Sequence, residues 1–98
     1  MTFEEFSASL DGDAPPAGTS PALGALWRDG KGDWSGAHDI AQDIDTPAGS
    51  IIHAYLHRKE GDLDNAAYWY RHAKRAIASG PLADEWKSLV EEMLRASP

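Results

Sequence analysis

A chain of 98 residues is one small domain, near the lower end of what folds without staples. It has no cysteine, which excludes disulfides, thiolate metal sites and cysteine nucleophiles and fits a reducing, cytoplasmic setting. Its net charge of −7, from 16 acidic and 9 basic residues, argues against nucleic acid or anionic lipid as a partner, and no apolar run nears the roughly 18 residues of a membrane span.

Helix punctuation is frequent and strand alternation nearly absent. Thr2 with Glu5 forms a capping-box pattern, and Phe3, Phe6 and Leu10 follow on one face of a short N-terminal helix within residues 1–10. The acidic start MTFEEFSASL lacks the apolar run of a secretory signal. Residues 11–20, DGDAPPAGTS, read as a linker. Ser20-Pro21 is an N-cap and first-turn pair, Leu23, Leu26 and Trp27 form an apolar face, and Gly30 is the expected stop. Asp33 is placed to cap a third helix carrying Trp34, Ala37 and Ala41, which completes a first hairpin over 21–45. Thr46-Pro47 repeats the start signal, and the helix it opens is expected to end at Gly61. Asp62 caps the next helix, expected to run to about Ser79 and complete a second hairpin over 46–79. Pro81 opens a closing helix over 81–96 with the stripe Leu82, Trp86, Leu89, Val90, Met93 and Leu94. The fold class is therefore all-α, with five principal helices and a short N-terminal one, in antiparallel hairpins.

The two hairpins share a pattern. Gly32-Asp33 recurs 29 residues later as Gly61-Asp62, Trp34 aligns with Leu63, Ala37 with Ala66 and Ala41 with Tyr70. Glycine takes the left-handed conformation that closes one helix, and aspartate caps the next. The stretch GDLDNAAYWYRHA resembles the second helix of a tetratricopeptide repeat, with Asp62, Ala66, Tyr70 and Ala73 at the turn acid, small, aromatic and second small positions. LGALWRDGKGDW and AAYWYRHAKRAIASGPLA resemble pieces of the related Sel1-like repeat. Over about residues 21–83 the resemblance implies a helical array and a non-enzymatic interaction module that binds a protein or peptide on its concave face. Four tryptophans and three tyrosines in so short a chain also suggest a homodimer that covers the open end of the array.

Chemistry-bearing residues concentrate in HAYLHRKEGDLDNAAYWYRHA, residues 53–73. His53, His57 and Glu60 fall within about 60° of one another on one helix face. Two imidazoles a turn apart with a carboxylate beyond them are a possible divalent-metal set, and His38 joins it if the third helix packs beside the fourth. The plainer expectation is a solvated polar border, with no metal or cofactor bound. Tyr68, Trp69 and Tyr70 point three ways. Tyr70 belongs with Leu63, Ala66, Ala73 and Ile77 as core, and Tyr68 faces nearly opposite it. Trp69 lies about 100° away, near Asn65, His72 and Ala76, so the helix is expected to be either central in the bundle or at an interface. Arg58, Arg71, Lys74 and Arg75 are expected to make a local basic patch or helical surface pairs. No nucleophile elbow or phosphate-binding glycine loop is present, so no catalytic residue is assigned. The candidate ligand or partner contacts are His53, His57, Glu60, Asn65, Tyr68, Trp69 and Arg71.

Overall fold

A glycine in the left-handed region followed by a capping aspartate closes one helix and opens the next, twice, in nearly the same geometry. The computed structural model describes residues 1–96. Gly32 and Gly61 have φ of 85° and 90°. Asp33 and Asp62 follow with φ/ψ of −97°/76° and −87°/78°. Asp33 accepts from the Gly36 amide and Asp62 from the Asn65 amide. The aspartate amides reach back to the carbonyls of Arg28 and His57, themselves 29 residues apart. The turn chemistry expected from the sequence is thus present in both hairpins.

The elements are α1 (Phe3–Ala8), a 3-10 turn (Ser9–Asp11), α2 (Pro21–Gly30), α3 (Trp34–Gln42), α4 (Pro47–Glu60), α5 (Leu63–His72) and α6 (Leu82–Ala96), with no strand among the described residues. The protein is all-α. α2 pairs with α3 and α4 with α5, α3 packs on α4, and α6 lies across both α2 and α4, with α1 against α6. The Thr2–Glu5 capping box forms, and Ser20 caps α2. Thr46 sits at the start of α4 with extended backbone, but its side chain makes no capping hydrogen bond.

α4 is the central helix. Every residue from Gly49 to His57 is buried, so it has no solvent face over that span. Its apolar side chains Ile51, Ile52, Ala54 and Leu56 meet Leu26, Trp27, Ala37, Ala66, Tyr70 and Val90 in one core. Ile51, Ile52 and Leu56 each stabilise the fold by about 1.5–3 kcal/mol relative to exposure. The α6 stripe is seated as expected, with Leu89, Val90 and Met93 buried and Leu82, Trp86 and Leu94 packed on the core. Two buried carboxylates fasten the helices. Asp29 of α2 accepts from the Tyr55 hydroxyl at 2.7 Å and from Lys59 at 2.8 Å. Glu85 of α6 accepts from Arg58 at 2.8 Å and from the Tyr70 hydroxyl at 2.6 Å. Burial first, and then the adjacent carboxylate, raises both tyrosine pKa values above the ordinary range, which keeps the phenols as donors.

Several expectations need correction. α2 does end at Gly30, but Gly30 is not the left-handed residue; a side chain there would press on Leu10 and Trp86, and the positive φ falls at Gly32. α5 ends at His72, not near Ser79. Lys74 takes φ of 60°, and the Arg75 amide returns to the Tyr70 carbonyl, closing the helix without glycine. The early end turns Ile77 out to 61% exposure, and Leu63, at the first position of α5, is 66% exposed, so neither joins the core. The basic patch is dispersed, because Arg58 pairs with Glu85 and Arg75 with Glu92.

Gly49 allows the close approach of α4 to the end of the first hairpin. A β-carbon there would stand 2.3 Å from the Ile44 carbonyl oxygen and 2.8 Å from the Ile44 β-carbon. Helix propensity alone would make Gly49→Ala stabilising by about 1 kcal/mol. The clash with backbone reverses the sign, and urea unfolding is expected to show a loss of about 1–3 kcal/mol.

Candidate functional site

All four histidines and two of the four tryptophans gather on one side of α4. Asp33 starts α3 so that Trp34 and His38, four residues apart, share the face that packs on α4. His53 and His57 are one turn apart on α4, and Trp69 and His72 are three apart on α5. The ring centroids of His38 and His53 are 4.5 Å apart, those of His53 and His57 4.8 Å, and those of His38 and His57 5.3 Å. One ring nitrogen of each lies within 4.8 Å of the other two. Indoles wall the cluster on both sides. Trp34 stacks on His38 at 5.0 Å, and Trp69 stacks on His53 at 4.1 Å. The Trp34 indole N–H is held by the Leu56 carbonyl at 2.8 Å, which fixes its ring.

Hydrogen bonding divides the histidines. His57 Nδ1 lies 2.7 Å from Glu60 Oε1, so Nδ1–H donates to the carboxylate and the lone pair of the neutral ring is on Nε2. That Nε2 has the Asn65 side-chain amide at 3.4 Å. His72 Nδ1 pairs with Ser50 Oγ at 2.9 Å. The ring nitrogens of His38 and His53, in contrast, have no hydrogen-bond partner among the described residues. Among the described residues no fully enclosed side-chain nitrogen or oxygen is left without a partner, so these nitrogens retain contact with solvent.

The site is not the solvated border that the helical pattern suggested. His53 and His57 are each only 7% exposed, because α3 and α5 cover the α4 face that carries them. Glu60 is exposed and lies behind His57, bonded to it, not beside His53 as a third donor. His38 does converge on His53 and His57, as pairing of α3 with α4 requires. Asn65 reaches the cluster through His57. Trp69 is a half-buried wall of the cluster, against His53 and His72, whereas Tyr68 is 51% exposed as expected. No contact joins Arg71 to the cluster among the described side-chain hydrogen bonds. The sequence reading missed Trp34, Ser50 and His72. The four-residue spacing of Trp34 and His38 was the available signal for the first. Ser50 and His72 are 22 residues apart, and only the α4–α5 pairing brings them together.

Comparison with protein-family models, with curated proteins and with solved structures returned no match to this chain. The fold and the site therefore define it only as a small all-α protein with a buried histidine–tryptophan cluster.

The pKa of His53 is lowered to about 4, chiefly by burial and then by the neighbouring His38 and His57. The unfolded chain, with an ordinary value of 6.5, binds the proton more readily between about pH 6.5 and 4. Stability is accordingly complete above pH 6.5 and falls as pH drops through that window. Urea unfolding of chelator-treated protein is expected to show a loss of about 2 kcal/mol from this residue by pH 5. His53→Gln should flatten the slope.

Proposed function

We propose that the protein binds a divalent transition-metal ion through His38, His53 and His57. The observation that carries this reading is the convergence of three imidazole nitrogens, from two hairpins, within 4.8 Å of one another. Two of the three, His53 and His57, are buried, and the ring nitrogens of His38 and His53 have no hydrogen-bond partner among the described residues, which leaves their lone pairs open to a cation. A cation uses them. Imidazole donors suit zinc, copper, nickel and iron more than magnesium or calcium. His38, partly buried on α3, already has its ring against those of His53 and His57. Glu60 supplies the support expected behind a metal-bound imidazole, fixing the tautomer and orientation of His57.

The test is a thermal melt of the protein with zinc, nickel or cobalt against a chelator. Ion at a hundredfold excess over Kd is expected to stabilise the native state by about 2.7 kcal/mol. His57→Ala should abolish the increment, and Glu60→Gln should weaken binding on the order of 10- to 100-fold. Superimposable melts with and without every ion would end this reading.

A second reading keeps the resemblance to tetratricopeptide and Sel1-like repeats and makes the chain an interaction module that pairs with a second copy or another protein. The observation that favours it is the outward placement of Leu63, Tyr68 and Ile77 on and after α5. With α6 lying across α2 and α4, the contact surface falls on the outer face of the second hairpin, not on those helices. Light scattering at high micromolar concentration is expected to give a dimer mass, reduced to the monomer by Tyr68→Ala. A monomer in the unmodified protein would refute self-association.

A further inference from the structure

We infer that Asn65 completes the metal site as its fourth protein ligand, through its side-chain oxygen, so that the site is closed and holds an ion without activating water. This rests on the three-imidazole reading above. The starting point is His57. With its Nδ1 proton committed to Glu60, the Nε2 lone pair is the atom offered to a metal, and the Asn65 amide stands 3.4 Å from it. Metal–donor distances of about 2.0–2.2 Å in a tetrahedron put neighbouring donors roughly 3.3–3.5 Å apart. The spacing of the Asn65 amide from His57 Nε2 is that edge length, long for a hydrogen bond and right for two ligands of one ion.

As placed, the Asn65 amide N–H points at the Nε2 lone pair and competes for it. A half-turn about the Asn65 Cβ–Cγ bond exchanges nitrogen for oxygen without changing the side chain's shape. The competitor thereby becomes a donor. The position of Asn65 is held independently of this turn, because its backbone amide is bonded to the Asp62 cap at 3.3 Å. The Gly61-Asp62 turn that closes the hairpin also sets the fourth ligand opposite His57. Four-coordinate sites filled by protein groups are structural or storage sites, whereas catalytic ones keep an open position.

The experiment uses cobalt(II) as the probe on the full chain. The unmodified protein is expected to develop the intense visible absorption of tetrahedral cobalt, unchanged by excess azide, since no ligand position is open. Asn65→Ala should bind cobalt on the order of 10- to 100-fold more weakly and become azide-responsive. Asn65→Asp, which restores an oxygen, should be azide-insensitive again. Circular dichroism of each variant checks the fold, and the backbone bond to Asp62 is available in both. An azide response in the unmodified protein, or Asn65→Ala with unmodified affinity and spectrum, would overturn the closed site. In that case loss of cobalt binding in His57→Ala would leave the three-imidazole site standing. No cobalt absorption in the unmodified protein would overturn both.

Discussion

Complete burial of α4 is the constraint to which the rest of the structure answers. A helix with no solvent face from Gly49 to His57 must have something packed on every side, and α2, α3, α5 and α6 all touch it. Its polar residues then need partners within the protein. Tyr55 finds Asp29, Ser50 finds His72 and His57 finds Glu60. His53 finds only rings, those of His38, His57 and Trp69. Among the buried polar side chains of this helix, His53 is the one with no hydrogen bond to another residue, and its ring nitrogens keep contact with solvent.

The two hairpins are alike in their turns and unlike in what they carry. Ala41 in the first stands where Tyr70 stands in the second, and Tyr70 reaches over to Glu85 of α6. His38 stands where the second has Ala67, and that exchange of a methyl for an imidazole adds the first hairpin's donor to the cluster. A symmetric pair of hairpins would have neither the bond to α6 nor the third histidine. The shared turns set the two hairpins side by side, and the positions where they differ make the contacts that are not repeated.

What the sequence disclosed and what it withheld follow a physical division. Helix starts and stops are local chemistry, and the capping signals at Thr2, Ser20, Asp33, Gly61 and Asp62 are visible in a few adjacent residues. The end of α5 was not legible, because the left-handed residue there is Lys74, a type that gives no such signal, and because Arg75 is drawn to Glu92 on a distant helix. The burial of His53 and His57 was not legible either. A helix with isoleucines on one side and histidines on the other reads as amphipathic, and only the packing of α3 and α5 on the second side makes it central. That His38 would join them depended on which helices are neighbours, a tertiary fact that no spacing within one helix contains.

The Gly-Asp turns have a kinetic side. Each brings two helices together across a few residues, so each hairpin closes a short loop at small entropic cost. α6 has a longer return to make. The Trp86 indole N–H reaches the Leu26 carbonyl at 2.9 Å, across 60 residues of chain. Non-local contacts of that kind reward the chain only after the loop entropy has been spent. The order of assembly that the topology favours is therefore hairpins first, their meeting along α4 second, and the docking of α6 and α1 last. The histidine cluster, built from α3, α4 and α5, is complete at the second stage, before the domain is closed.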